Sequence, residues 1–320
     1  MARLVYPDAD AAHIELLRGR FKERLKAIGD CRLFEGKPAS GQEWIERIGD
    51  AEAMFLGWGL PDAVLGSLPD LKLIAFSGIG VANHVNLDLA QHQGVTVTNS
   101  PGYADDTVAE HTIGLMLACA RQIARGDRLM RDGGWYFGDQ GVDLKGKTLG
   151  IVGLGGIGRR TAQLARAFGM TVIAWTRSMN PSRAADAGVA FVALEDLFRD
   201  SDFVSLHLGL TPDTEGMIGA DLLRSMKQSA FLVNTARGEL LDEAVLVEML
   251  QSNAIAGAGL DVFAGEPPSP DHPLRSLENV VMTPHKGFDT PDANAAILDI
   301  LLTNMEGYFA GAPVNVVAPA

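Results

Sequence analysis

Short β-branched or aliphatic runs alternate along the chain with longer stretches of helical period, the pattern of parallel βα units. In the first third, strands are predicted at Arg3–Tyr6, Cys31–Phe34, Ala53–Gly57, Leu73–Phe76 and Val95–Thr98. Helical stretches such as HIELLRGRFKERLKAI fill the gaps. After NSPG, the segment TVAEHTIGLMLACARQIARGDRLM, residues 107–130, predicts one helix too long for a simple crossover, so it links two domains or forms an interface. A second series follows GKTLGIVGLGGIG, with strands predicted at Leu149–Val152, Val172–Trp175, Phe203–Leu206, Phe231–Asn234, Ala256–Leu260 and Val280–Met282. Six strands complete a doubly wound sheet. DANAAILDILLTNMEGYFAG reads as an amphipathic helix, with no strand after it to pair, that packs back on the first domain. The expected fold is α/β with two doubly wound parallel-sheet domains: residues 1–99 completed by 291–320, and residues 100–290.

Composition narrows the function classes. The chain of 320 residues, 47% hydrophobic and 21% charged, suits two folded globular domains. Its formal charge of −13, with acids scattered along the helices, repels phosphate backbones, so no nucleic-acid partner is expected. The two cysteines, Cys31 and Cys119, lie far apart, and no histidines stand at metal-ligand intervals, so inert thiols in a reducing compartment and no metal are expected. No apolar run reaches membrane-spanning length and the N-terminus does not read as a signal peptide. A cytoplasmic protein with no membrane partner is the expectation.

In IVGLGGIGRR the pattern G-x-G-x-x-G falls on Gly153, Gly155 and Gly158, after an apolar strand and at the start of a helix. The first glycine turns the chain, the second admits a pyrophosphate close to backbone, and the third lets helix pack on strand. Gly156 and Ile157 open the helix, whose free N–H groups and partial positive charge suit phosphates. A carboxylate at the end of the second strand would accept the ribose hydroxyls of NAD. Here Trp175 is followed by Thr176, Arg177 and Ser178. A guanidinium with two hydroxyls suits the 2′-phosphate of NADP, so NADPH is the preferred cofactor and NADH a possible one.

Three further motifs follow strands of the second series. FLVNTARGELLDE puts Arg237 past one strand end, GAGLDVFAGEPP puts Asp261 and Glu266 past the next, and VVMTPHKG puts His285 past the last. Ligands of open α/β sheets lie at the carboxyl ends of the strands, so these loops form one candidate site.

At these residues the chain resembles the D-isomer-specific 2-hydroxyacid dehydrogenase family, most of all its NADPH-linked glyoxylate and hydroxypyruvate reductases. The matching motifs are S-G-I-G (Ser77 to Gly80), V-A-E-H (Val108 to His111), G-x-W (Gly133 to Trp135), Leu144 to Gly158, N-T-A-R-G (Asn234 to Gly238), Gly259 to Pro267 and T-P-H-x-G (Thr283 to Gly287). The resemblance implies a flavodoxin-like substrate domain and a Rossmann cofactor domain. It implies Arg237 as the group that binds the carboxylate of a small anionic 2-oxo acid and polarises its carbonyl, a task suited to a permanently charged fork. It implies His285 as general acid and Glu266 as the carboxylate bonded to it. Ser77, Gly78, Ile79 and Gly80 would bring backbone N–H groups to the substrate. Asp261 is implied near the nicotinamide carboxamide, although an aspartate there equally suits capping a loop; Thr211 and Thr235 are second-rank cofactor candidates. The helix near residues 107–130 would form a homodimer interface.

The remaining histidines read as structural, at His111 and His207, or as surface residues, at His13, His92 and His272; His84 stands close to the glycine loop. Three features depart from the family pattern: Lys286 and Phe288 beside His285, Gly209 where proline is common, and Asn83 and Asn86 where aspartate is common. Lys286 is expected to add positive charge at the pocket mouth and Phe288 to narrow it, against readings in which the lysine snorkels to solvent and the phenylalanine packs on a neighbouring helix. Trp58 and Trp135 are candidates for the pocket wall. The rival readings are a phosphite or other NAD-linked dehydrogenase of this family, and a non-enzymatic NAD(H)-sensing co-repressor.

Overall fold

The computed structural model describes residues 1–135, 138 and 140–319. Two units account for them: Met1–Ala104 with Asp289–Ala320, and Asp105–Phe288.

The first unit is built on β1 (Ala2–Ala9), β2 (Gly29–Glu35), β3 (Ala53–Leu56), β4 (Leu73–Phe76) and β5 (Thr96–Thr98). They form one parallel sheet in the order β2-β1-β3-β4-β5, the flavodoxin-like arrangement. Both faces are buried, which is why its strands read as continuous apolar runs. Val5, Met54, Leu56, Ile74 and Phe76 pack with Trp44, Ile48 and Leu65 on one side. Leu4, Tyr6, Phe55 and Leu73 pack on the other with Leu17, Leu25 and with Ile297, Leu298, Leu301, Leu302 and Met305 of the C-terminal helix Pro291–Phe309. Arg24 ties that helix down, 2.6 Å from both Asp299 and Glu306.

The second unit holds β6 (Thr148–Val152), β7 (Thr171–Trp175), β8 (Ala190–Phe191), β9 (Phe203–Leu206), β10 (Phe231–Asn234), β11 (Gly257–Leu260) and β12 (Val280–Met282). Their order, β12-β11-β10-β9-β6-β7-β8, is that of a Rossmann sheet with one strand added beyond the sixth. The direction of winding reverses between β6 and β9, so the loops after those strands flank the crevice where such sheets bind ligands.

Several sequence expectations need correction. The second sheet has seven strands, not six: β8, two residues long at the sheet edge, is too short to show a period. The stretch 107–130 is two helices, Asp105–Ala120 and Ile123–Arg131, parted at Gln122, whose φ of 54° is left-handed. The stretch 13–28 likewise breaks around Gly19 into Ala11–Arg18 and Lys22–Ile28. The chain after the last helix does pair: Val316 bridges Thr98 antiparallel, and the Val317 N–H donates to Val97 O at 2.9 Å. His13 is not a surface residue; it is 4% exposed, with Nδ1 3.0 Å from the Tyr6 hydroxyl. His272 is partly buried and pairs with Glu243 at 3.0 Å.

Among the described residues no helix is long and apolar enough to cross a membrane, and no group of three or more His, Cys, Asp or Glu is placed to hold a metal ion.

Candidate active site

The glycine loop sits at the carboxyl end of β6, and its geometry fits the phosphate reading. Gly153 has φ +104°, and a β-carbon there would strike the His207 carbonyl; one on Gly158 would strike Gly153 O. By contrast, a β-carbon on Gly155 would meet nothing, so open space lies beside the backbone at the start of the helix Gly156–Ala167. Such a cradle of backbone beside a helix N-terminus suits the pyrophosphate of a dinucleotide. One neighbour that the sequence did not point to lies against it. A β-carbon on Gly156 would fall on the Asp105 carboxylate, and burial pushes that carboxyl up, opposed by Arg159 and assisted by Asp106.

Past β7, Thr176 is partly covered while Arg177 and Ser178 are exposed. Arg177 pairs with Asp213 at 3.3 Å, but the side chains are 67% and 82% exposed, a contact worth about 1 kcal/mol or less. In the loop after β9, Thr211 bonds Thr214 through N–H and hydroxyl. His207, in the same loop, is pushed down to about 4 by burial and lies 2.9 Å from the Ser205 hydroxyl, so it is neutral near pH 7. The Thr235 hydroxyl meets Thr112 at 2.9 Å.

The loops after β10, β11 and β12 carry the titratable cluster. Asn234, buried at the end of β10, accepts from Ala236 N at 3.0 Å and donates to Arg237 O at 2.8 Å. This side-chain turn fixes the backbone that carries Arg237. Nothing in the sequence alone separated Asn234 from its motif as a supporting residue. Glu266 accepts from Phe263 N at 3.1 Å through Oε1, while Oε2 lies 2.6 Å from His285 Nδ1. Burial pushes the Glu266 carboxyl up, but the hydrogen bond and charge of His285, the Phe263 N–H and the charge of Arg237 outweigh it and hold the group below the usual carboxylate range. With Nδ1 engaged, the other nitrogen of the ring, Nε2, can exchange a proton. The Phe288 ring meets the His285 ring edge-on at 5.9 Å.

Asp261, expected near the cofactor, is 2% exposed and turned toward the chain itself. Its carboxylate accepts from the Thr283 hydroxyl at 2.6 Å, Lys286 N at 2.9 Å and Gly287 N at 2.8 Å. The loop-capping role is the one these contacts fill.

In the first unit, Ser77–Gly80 follows β4. Ser77 N donates to Leu56 O and Gly78 N to Phe76 O. Among the described residues, neither the Ile79 nor the Gly80 N–H has an acceptor within the protein. His84 stacks on Phe76 next to this loop, ring centroids 5.0 Å apart.

Residues 113–287 match the family model described as "D-isomer specific 2-hydroxyacid dehydrogenase, NAD binding domain". The chain belongs to this family. As a D-2-hydroxyacid dehydrogenase it is an NAD(P)-dependent oxidoreductase with a Rossmann unit. It is 38% identical over 288 residues, 88% of this chain and 86% of the relative, to a glyoxylate reductase of Korarchaeum cryptofilum. It is 41% identical over 286 residues, 86% of this chain and 88% of the relative, to a glycerate dehydrogenase of Methylorubrum extorquens. Among solved structures it resembles an acyclic imino acid reductase in complex with NADPH and D-Arg, with a TM-score of 0.88 at 29% identity over 98% of this chain and 99% of the other. The family and the two-sheet α/β fold expected from the motifs are thus those of the protein.

Proposed function

We propose that this dehydrogenase reduces glyoxylate or hydroxypyruvate to the D-2-hydroxy acid, with NADPH preferred over NADH. The observation that carries the reading is the Glu266–His285 pair at 2.6 Å, with the charge of Arg237 acting on the same carboxylate. In this reading Arg237 binds the substrate carboxylate and polarises the 2-oxo group. Gly153–Gly158 would hold the reduced nicotinamide cofactor, whose chemistry would be to supply the hydride. His285 gives the proton to the carbonyl oxygen, and Glu266 supports the imidazolium that precedes this transfer.

The absence of an acid after β7, with Thr176, Arg177 and Ser178 in its place, supports NADPH. The exposed ion pair to Asp213 is weak enough for a 2′-phosphate to displace. The relative named glyoxylate reductase and the imino acid reductase solved with NADPH agree with substrate class and cofactor.

A homodimer is part of the reading. The helix Ile123–Arg131 has no buried residue, and Ile123, Met130 and Trp135 are 56%, 53% and 83% exposed, apolar side chains that a second copy would cover. Free thiols at Cys31 and Cys119 support a cytoplasmic location.

The test is a spectrophotometric comparison of kcat/KM for glyoxylate, hydroxypyruvate, pyruvate and oxaloacetate with each cofactor. The expected result is the highest value with glyoxylate or hydroxypyruvate, and an NADPH preference of about tenfold or more. Equal values for both cofactors, lost on Arg177→Ala for neither, would remove the NADPH assignment.

A further inference from the structure

The turn Thr283–Gly287 is wrapped around a buried carboxylate. Besides the three bonds to its carboxylate, Asp261 accepts from His285 N at 2.8 Å through its own carbonyl. His285 itself has φ +52°, a left-handed conformation that a non-glycine residue holds only when its surroundings impose it. Asp261 supplies that constraint, and a second residue reaches the same oxygen. His111, on the helix Asp105–Ala120, places Nε2 2.9 Å from the Thr283 hydroxyl and 3.4 Å from Asp261 Oδ1.

Proton counting gives His111 its role. The Thr283 hydroxyl has one hydrogen, and the 2.6 Å contact to Asp261 Oδ1 takes it, because the carboxylate is an acceptor only. The hydroxyl oxygen must therefore accept from His111, so Nε2 of His111 carries a hydrogen. The ring also closes the turn from outside: a β-carbon on Gly287 would lie 2.9 Å from Asp261 Oδ2 and 3.1 Å from His111 Cδ2. The turn is thus held between an aspartate beneath it and a histidine on a separate helix.

We propose that His111 is a positioning residue for the reduction: by donating from Nε2 to the Thr283 hydroxyl, which in turn donates to Asp261, it fixes the turn that aims His285. The inference rests on His285 being the proton donor. Without the His111 donor the Thr283 hydroxyl is less polarised and donates more weakly to Asp261 Oδ1, so the turn is held less firmly and the strained His285 would relax. Displacement of a reacting group by an ångström costs as much as about a hundredfold in rate.

The experiment compares the full-length wild type with His111→Phe, His111→Gln, Thr283→Val and His285→Asn, using NADPH and glyoxylate, with kcat, KM, the pH profile of kcat and Tm for each. Phenylalanine keeps the ring and removes the donor; glutamine restores an N–H donor without the ring. The expected result for His111→Phe is a kcat about tenfold or more below wild type, KM within about twofold and a displaced pH profile. His111→Gln recovers most of kcat and the wild-type profile, and Thr283→Val resembles His111→Phe. An unchanged kcat and pH profile in His111→Phe overturns the proposal, as does a loss in kcat that His111→Gln shares in full and that tracks Tm. If His285→Asn keeps wild-type kcat, the assignment of the proton donor fails instead, and that variant reads it separately.

Discussion

Glu266 divides its two oxygens between a backbone N–H and an imidazole, and both bonds favour the charged carboxylate. Because its folded value is depressed, the stability it contributes is present above the ordinary carboxylate range and is lost as pH falls through the depressed value. Glu266→Gln is expected to lower Tm relative to wild type at neutral pH, with the difference shrinking in acid, and to lower kcat about tenfold or more because the imidazolium loses its partner. Thermal melts across pH and steady-state rates check both. Asp105 offers a second test. A carboxylate beside the first turn of the phosphate helix competes for the field that would bind a pyrophosphate, so Asp105→Ala is expected to tighten NADPH binding about threefold to tenfold by fluorescence titration. Arg237, Glu266 and His285 could be singled out as candidates from the sequence because each follows a strand end in a distinctive motif, and the structure brings Glu266 and His285 within 2.6 Å. The engagement of the Asp261 carboxylate, the donor role of His111 and the position of Asp105 were not legible there. They depend on contacts between segments remote in sequence, and no local pattern records which oxygen a distant N–H will reach.

At the scale of elements, hydrophobic period located almost every strand, since both sheets are buried on both faces and their strands are continuous apolar runs. It could not see the end of the helix Asp105–Ala120, because apolar residues continue past Ala120 into Ile123. The break is made by the backbone at Gln122, which takes a left-handed conformation with φ 54° and leaves its side-chain Oε1 buried without a partner among the described residues. A glycine has no steric penalty there. Gln122→Gly is therefore expected to be stabilising by about 1 kcal/mol, whereas Gln122→Val, β-branched in the same conformation, costs about 1–3 kcal/mol. Urea unfolding midpoints of the two variants would show opposite signs. The short β8 was missed for a different reason: two residues at a sheet edge hold too few positions for any period to register.

Across the whole molecule, the second unit is one continuous stretch of chain and the first is assembled from two. The helix Pro291–Phe309 presses five large apolar side chains, Ile297, Leu298, Leu301, Leu302 and Met305, onto the sheet of the first unit, none more than 3% exposed. At about 1.5–3 kcal/mol for each such side chain, their burial amounts to roughly 10 kcal/mol, comparable with the entire stability of a typical domain. A chain ending at Thr290 is expected to lose cooperative melting of the first unit and to bind a hydrophobic dye, while the NAD(P)-binding unit keeps its fold. Circular dichroism and dye fluorescence of the truncated and full chains test this. The same arrangement sets an order of events during synthesis. The strands of the first unit leave the ribosome well before residues 291–309, so the second unit, complete within its own stretch, is free to fold before the first unit that precedes it in the chain. For as long as residues 291–309 are still to be made, one face of the first sheet, Tyr6 and Phe55 included, is covered only in part, by Leu17 and Leu25 of the early helices, and that interval is when the nascent protein has most need of a chaperone.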